Sequence, residues 1–584
     1  MPASVVEGES LLAVDVGTTK TRALLFDVVE GRYRFIAAAQ APTTAEAPVK
    51  DIGEGVRQAV ENLQTVTGRI LLDADHRLVI PTQTGGSGVD AFAATLSAGP
   101  SLKAVIVGLL ADVSLESVQR LAEGASARIV ETISLNDRRK PEEQIDGIVR
   151  ARPDMIIIAG GTDGGASRSI RKVLEVIGLA CYLLPQDKRP AALFVGNQSL
   201  AEDVRSLLES LTVSLRISPN VRPSLEVEDL DPARNELARL IMDTRKRQMR
   251  GVEELNLWAG GHLMPTAHAE GRMVRFLSRV YGSAKGVLCV DVGAAGTTVA
   301  AGFNGALTLG VYPQFGLGEN LPGLLRYTDL EVIERWLSLD IPQSLVRDFL
   351  HQQSLYPASL PATKEEQAIA QALARQVLHL ALQAARRNFP PEVRPFRPGL
   401  LPLFEPILAC GGVITEAPTP GQSLLLLLDA LQPVGITTLI LDQNNLLPVL
   451  GAAAERNNIL PVQVIESGAL INLATVISPV SSVRHGMTIL RARLIYDDGS
   501  EIKAEVKAGG LEVLPLASGK TARLQLQPLH RTDTGLGIGR GGTIRVSGSV
   551  LGMVIDARGR PLDLPSDPVQ RRELIKKWLW TVGG

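Results

Sequence analysis

Cysteine and histidine are scarce in this chain. Of 584 residues only three are cysteines, Cys181, Cys289 and Cys410, and each stands alone inside an apolar run. That distribution argues against a disulfide framework or a thiolate metal site and predicts three buried free thiols, as in a reducing compartment. Seven histidines are scattered without the spacing that metal ligation needs. Excess charge is missing as well. Lys plus Arg number 60 against 62 for Asp plus Glu, a net charge of −2, so no broad nucleic-acid surface is expected. Long apolar runs are also absent. The strongest, LLLLLDALQPVGITTLIL (424–441), is broken by Asp429, Gln432, Pro433 and Gly435, short of the roughly 18–20 clean residues that span a bilayer. The opening MPASVVEGES has neither a basic region nor an apolar core, so no secretory signal is expected. Together these predict a cytoplasmic protein without membrane partners.

What is present is apolar material for several cores, with 45% hydrophobic and 21% charged residues over a length that calls for more than one domain. Short strands are predicted at 11–16, 22–27 and 33–39, followed by a helix near 52–66 whose apolar Ile52, Val56, Ala59, Val60 and Leu63 recur at helical spacing. From about residue 103 strands and amphipathic helices alternate, through KAVIVGLL, ARIVETISL, DMIIIAGG and AALFVGN. That alternation predicts a parallel sheet covered on both faces. Residues 200–285 read as helical, and DTRKRQMR (243–250) within them as a solvated face. A strand meander returns at 286–311, helices are predicted at 328–350 and 364–387, and hairpin alternation begins near 484.

Two stretches carry chemistry. VDVGTTKTRALLFD (14–27) and VDVGAAGTTVAAGFN (290–304) are both strand, small-residue turn, strand. Each turn offers backbone N–H groups and hydroxyls to an anion. An aspartate two residues before the glycine would repel phosphate unless a divalent cation lay between, and Mg²⁺ is held in this way by carboxylate, phosphate and water. Asp15 and Asp291 are therefore the candidate metal carboxylates. Gly17, Thr18, Thr19 and Lys20 on one turn, and Gly293, Gly296, Thr297 and Thr298 on the other, are the candidate phosphate contacts. In ACGGVITEA (409–417), Gly411 and Gly412 suit the close approach of an adenosine. IIIAGGTDGGASRSI (156–170) puts a glycine turn at the end of a parallel strand. There Asp163 stands either as a catalytic carboxylate or as a cap for the following helix. It is neither a P-loop nor a G-x-G-x-x-G fingerprint. GLGIGRGGT (535–543) has no following helix and reads as a bulged turn.

Phosphate loop, phosphate loop and adenosine loop occur in the order found in the actin, Hsp70 and sugar-kinase ATPases, which the chain resembles. Within that group it is most similar to the glutamate mutase MutL family, in QAPTT (40–44), IIIAGGTDGG (156–165), LFVGNQSLAEDV (193–204), ISPNVRP (217–223) and LDQNNLLPVLGAAAE (441–455), over roughly residues 11–465. The resemblance implies an α/β fold of two ribonuclease-H-like, actin-type lobes, with ATP and Mg²⁺ between them. It also implies a chaperone-like or reactivating role toward a client enzyme, an adenosylcobalamin-dependent mutase. The expected organisation is lobe I with the first phosphate loop at 11–90, an inserted parallel α/β region at 91–205, and a helical remainder of lobe I at 206–285. Lobe II follows at 286–480, and a small all-β appendix with a terminal helix at 484–584. Val299 stands where the family carries an acid, so any ATPase activity is expected to be weak. A small-molecule kinase and a non-catalytic filament or scaffold stay open as alternatives, as does a homo-oligomer.

Overall fold

The computed structural model describes residues 9–281 and 284–584. The chain forms two compact units. The first runs through Glu270 and recruits Leu309–Pro313 and Pro448–Pro461; the second holds Gly271–Thr308, Gln314–Leu447 and Val462–Gly584.

In the first unit β1 (Leu11–Val16), β2 (Lys20–Val29) and β3 (Arg32–Pro42) form an antiparallel meander, and β4 (Ala91–Leu96) lies parallel to β1 on its other side. All six residues of β1, apolar except for Asp15, are buried, as befits a central strand. Between β2–β3 and β4 runs the helix Ile52–Thr67. Asp51 caps its start by accepting from the Gly53 N–H, and Gly68, left-handed at φ 71°, ends it. The predicted stripe Ile52, Val56, Ala59, Val60 and Leu63 is the face it buries. Burial of each large aliphatic side chain there stabilises the fold by about 1.5–3 kcal/mol.

The inserted region is a second sheet of β5 (Leu102–Val107), β6 (Ala127–Ile133), β7 (Met155–Ile158), β8 (Ala191–Phe194) and β9 (Ser214–Ile217). Its order is β6-β5-β7-β8-β9 and every neighbouring pair is parallel. The chain then returns to the first sheet as β10 (Met264–Pro265), parallel to β4, completing the order β10-β4-β1-β2-β3. Two boundaries therefore differ from expectation. Residues 91–96 belong to the lobe I sheet, and 214–217, read as helical, are the fifth strand of the insert. Both strands are short, and their pairing is decided by neighbours distant in sequence. Arg245 also departs from the solvated face expected of 243–250. It is buried, donates to the Pro100 carbonyl at 2.7 Å, and burial draws its guanidinium down to about 10.

In the second unit β11 (Gly286–Val292), β12 (Thr297–Phe303), β13 (Ala306–Tyr312), β14 (Phe404–Cys410), β15 (Gly435–Leu441) and β16 (Ile471–Ser478) begin an eight-stranded sheet. Five of them repeat the first sheet's arrangement as β13-β12-β11-β14-β15, with β11–β12 antiparallel and β11–β14 and β14–β15 parallel. The predicted helix at 328–350 is divided into Leu330–Glu334 and Gln343–Leu355, with Pro342 at the start of the second piece.

The expected appendix is split between two sheets. β17 (Thr488–Tyr496), β18 (Glu501–Lys507), β20 (Thr521–Pro528) and β21 (Gly542–Ser547) form an antiparallel sheet of order β18-β17-β20-β21, whereas β19 (Leu511–Leu514) and β22 (Met553–Asp556) extend the lobe II sheet beyond β16. Hairpin alternation shows that strands exist but not which sheet they join. Behind β22, Asp556 accepts from Arg558 at 2.8 Å and from Arg560 at 2.6 Å, Arg558 reaches Asp429 at 2.7 Å, and Arg375 reaches Asp429 at 2.8 Å. IDARGRP (555–561) is thus a strand end and turn closed over a buried ion network.

The three cysteines are free and buried. Burial pushes the Cys181 thiol up to about 12. Among the described residues no helix is long and apolar enough to cross a membrane.

Candidate functional site

The first hairpin closes through a hydrogen bond from the Gly17 N–H to the Lys20 carbonyl, 3.0 Å. A Cβ on residue 17 would lie 2.8 Å from that oxygen, so only glycine fits. The turn is clamped from behind by QAPTT. The Thr43 hydroxyl donates to the Gly17 carbonyl at 2.8 Å, its N–H donates to the Thr19 carbonyl at 3.0 Å, and its hydroxyl also meets that of Thr21 at 2.9 Å. Held in this way, Thr18, Thr19 and Lys20 stay half-exposed at the tip. The Thr18 and Thr19 hydroxyls have no partner among the described residues.

Asp15 lies two residues before the turn and is 1% exposed. Its Oδ1 accepts from the Thr95 hydroxyl at 2.7 Å and from the Thr266 hydroxyl at 3.0 Å, while Arg22 Nη1 stands 4.0 Å from Oδ2. Thr95 is the register partner of Asp15 on β4, Arg22 its partner on β2, and Thr266 follows β10. None of these three was singled out from the sequence. Their signal was topological, because each needs the strand order before it can be placed beside Asp15.

The second hairpin repeats the closure. Gly293 N–H donates to the Gly296 carbonyl at 3.0 Å, and Asp291 pairs with Thr298 on β12 and with Cys410 on β14. Behind this turn runs the segment Phe315–Gly318. A Cβ on Gly316 would come within 2.5 Å of the Ala294 carbonyl oxygen, and the Thr297 hydroxyl donates to the Phe315 carbonyl at 2.6 Å. Thr297 and Thr298 are both buried, Thr297 completely. This corrects the expectation for Thr297, whose hydroxyl is spent on that carbonyl and does not face an anion; Thr298, next along the strand, lies on the opposite face. The exposed part of the turn is Ala294, Ala295 and Gly296, whose donors are backbone N–H groups, so the two turns are chemically unequal.

Gly411 directly follows β14, at φ 96°, and a Cβ there would lie 2.3 Å from the Val292 carbonyl. The adenosine candidate loop is therefore pressed against the root of the second hairpin, and its first glycine is required by packing. Gly412 opens the short helix Gly412–Thr415 and has free space, with nothing nearer than 3.8 Å. Beside them Asp442, buried at the end of β15, accepts from the Leu446 and Leu447 N–H groups, each at 2.8 Å. It caps the helix beyond, which gives the LDQNN string its local role.

Asp163 sits on the exposed loop after β7. Its Oδ1 accepts from Asn220 Nδ2 at 2.9 Å and from the Gln198 N–H at 3.1 Å, and its N–H donates to the Pro223 carbonyl at 3.2 Å. The fully buried Asn197 accepts from the Gly164 N–H at 3.2 Å. Thus the GGTDGG, GNQS and SPN strings are three loops at the carboxyl ends of β7, β8 and β9, fastened side by side. Asp163 ties these loops and does not cap the following helix, which starts from Ser167 without a side-chain cap.

Among the described residues no three His, Cys, Asp or Glu side chains gather as a metal cage. Within each hairpin, a carboxylate two residues before a glycine-closed turn is a donor of the kind that Mg²⁺ can share with phosphate oxygens and water. The residues present fit a magnesium nucleotide.

Two sheets with one strand order, each beginning with an aspartate strand and a glycine-closed hairpin, define a duplicated ribonuclease-H-like core of the actin-like ATPase fold class. The chain belongs to the family described as MutL protein, which matches residues 11–468. It is 26% identical over 295 residues to Protein MutL of Clostridium tetanomorphum, a match covering 50% of this chain and 57% of that relative. Among solved structures it is similar to an acetone carboxylase (TM-score 0.32, 12% identity, 86% of this chain and 81% of the other). It is also similar to the ethanolamine utilization protein EutJ of Carboxydothermus hydrogenoformans (0.28, 11%, 77% and 91%) and to a glycerol dehydratase reactivase (0.26, 10%, 72% and 94%).

Proposed function

We propose that this chain binds ATP with Mg²⁺ and serves as an accessory or reactivating factor for a partner enzyme of the adenosylcobalamin-dependent mutase class. Membership of the MutL family supports the accessory role. The observation that carries nucleotide binding is the first hairpin, where the unpartnered, half-exposed hydroxyls of Thr18 and Thr19 stand on a glycine-closed turn beside the buried carboxylate of Asp15. Thr18, Thr19, Lys20 and the turn's N–H groups would hold phosphate oxygens, and the carboxylate of Asp15, oriented by Thr95 and Thr266, would hold the cation. The N–H groups of 294–296 and Asp291 would do the same at the second turn with fewer donors, and Gly412 leaves room for the adenosine. Bound Mg²⁺ supplies neutralisation of phosphate charge. Asp163, whose Oδ1 accepts from Asn220 and from the Gln198 N–H, is assigned a positioning role among these loops.

Calorimetric titration of ATP with and without Mg²⁺ tests this reading. Wild type should bind in a Mg²⁺-dependent manner, and Thr18→Val/Thr19→Val should weaken binding by about a hundredfold or more, since two charge-assisted hydrogen bonds of roughly 1.5–3 kcal/mol each are at stake. Unchanged affinity in that variant would refute the placement of the phosphates. Recovery of activity by an inactivated adenosylcobalamin-dependent glutamate mutase, in ATP and with this chain, tests the accessory role separately.

A further inference from the structure

The outer helices of the inserted region have an unusual surface. On the helix Arg168–Leu183, charged residues face out through its first half, at Arg171, Lys172 and Glu175. In its last turns the outward residues are Leu179, Tyr182 and Leu183, 49%, 65% and 56% exposed. Spacing of i, i+3 and i+4 places all three on one stripe. A surface helix normally turns its polar side outward, and an apolar stripe in its place marks an interaction site.

Beside that stripe lies a cleft of about 460 Å³, between the C-terminal ends of the helices Pro141–Ala151 and Arg168–Leu183, lined by Val149, Arg150, Arg152, Leu183, Leu184 and Pro185. Its floor is apolar and its rim is basic. Arg150 makes one hydrogen bond, from Nε to the Asp146 carbonyl at 3.2 Å, and neither Arg150 nor Arg152 has an ion-pair partner among the described residues. Asp187, the nearest acid on the turn that follows, is paired with Lys188 at 3.7 Å.

We infer that this cleft docks an acidic amphipathic helix of a partner protein. An apolar ridge on the incoming helix would cover Leu179, Tyr182 and Leu183, and carboxylates flanking that ridge would meet Arg150 and Arg152. A basic or purely apolar occupant would bury two guanidinium groups without counter-charge, which is costly. The cleft is lined from the ends of two helices and the residues that follow them, with no strand residue among its lining, so a packed helix makes better contact than an added strand. The inference is independent of nucleotide binding.

A fluorescein-labelled synthetic peptide of about four to five turns, with Leu at i, i+3, i+4 and i+7 and Glu on both flanks, tests it against the same peptide with Lys replacing Glu. Fluorescence polarisation on the full chain should show the Glu peptide binding at least about tenfold tighter. Amide hydrogen exchange should slow at 146–152 and 179–185. Leu179→Ser/Tyr182→Ser and Arg150→Glu should each weaken binding about tenfold, with unchanged melting and unchanged ATP affinity. Equal binding of the two peptides, or protection elsewhere, would overturn the inference. Light scattering covers the remaining occupant: a concentration-dependent dimer abolished by Leu179→Ser/Tyr182→Ser would assign the cleft to a second copy of this chain and also overturn it.

Discussion

The hydroxyl of Thr266 donates to Oδ1 of Asp15 at 3.0 Å across 251 positions of sequence. It reaches the aspartate because β10 lies two strands from β1, on the far side of β4. Together with Thr95 it fixes the rotamer of a carboxylate that the sequence identified by its place before the Gly17 turn. Thr266→Val should leave the fold intact apart from about 1–3 kcal/mol, because one buried acceptor loses a donor. It should also weaken Mg²⁺-dependent ATP binding less than Asp15→Ala does. Equal losses in the two variants would mean that the Thr266 hydroxyl is as necessary to binding as the carboxylate it orients.

Removing either carboxylate tests whether it serves the cation and not the phosphates. Asp15→Asn and Asp291→Asn should each lower ATP affinity in Mg²⁺ by about tenfold or more and leave the weaker Mg²⁺-free binding nearly unchanged. Titrations at two Mg²⁺ concentrations read this directly.

Gly411 and Gly412 are adjacent and predict opposite outcomes. Gly411→Ala places a Cβ 2.3 Å from the Val292 carbonyl at a left-handed φ, so it should destabilise the chain or displace the second hairpin. Gly412→Ala meets nothing nearer than 3.8 Å. It should fold normally and lose affinity only if adenosine lies against it. Paired melting curves and ATP titrations distinguish the two.

The ion network around Asp556 is fully buried, and Arg558 and Arg560 hold its carboxyl well below the usual carboxylate range despite the opposing effect of burial. Arg558→Met leaves Asp556 and Asp429 short of counter-charge and should cost about 3–5 kcal/mol. Replacing Asp556 and Arg558 together by apolar residues should cost less than the sum of the single changes. Urea denaturation of the three variants completes the cycle.

His379 gives a pH dependence. Burial lowers its pKa, although Nδ1 lies 3.1 Å from the Ala430 carbonyl. Because the folded value is depressed below the ordinary 6.5, its stabilisation is present above that value and is lost as pH falls below it. Replacing His379 by Gln should flatten the decline in stability as pH falls below about 6.5. Denaturation midpoints across that interval measure it.

Local features were legible in the sequence where a single stretch contained all the determinants. The two hairpins, the helix stripe from Ile52 to Leu63 and the β7 glycine loop are cases of this kind. Where partners lie far apart they were not. Thr297 read as a phosphate ligand because a hydroxyl beside a glycine turn has that chemistry. Strand alternation instead turns it inward, and the Phe315 carbonyl takes its proton. Asp163 read equally as a base or a cap; it does not cap the following helix, and the loops it ties were not legible because Asn220 lies 57 residues away.

By itself the sequence determined the repeated aspartate–glycine turn, because the tight Gly17–Lys20 and Gly293–Gly296 closures depend only on backbone conformation and the absence of a Cβ. It also determined the parallel insert, through apolar runs alternating with amphipathic helices. Only tertiary structure decided which threonines orient Asp15, that β19 and β22 extend the lobe II sheet, and that Arg245 is buried. Those outcomes depend on strand order and on desolvation by distant neighbours, and neither is encoded within any one window of the chain.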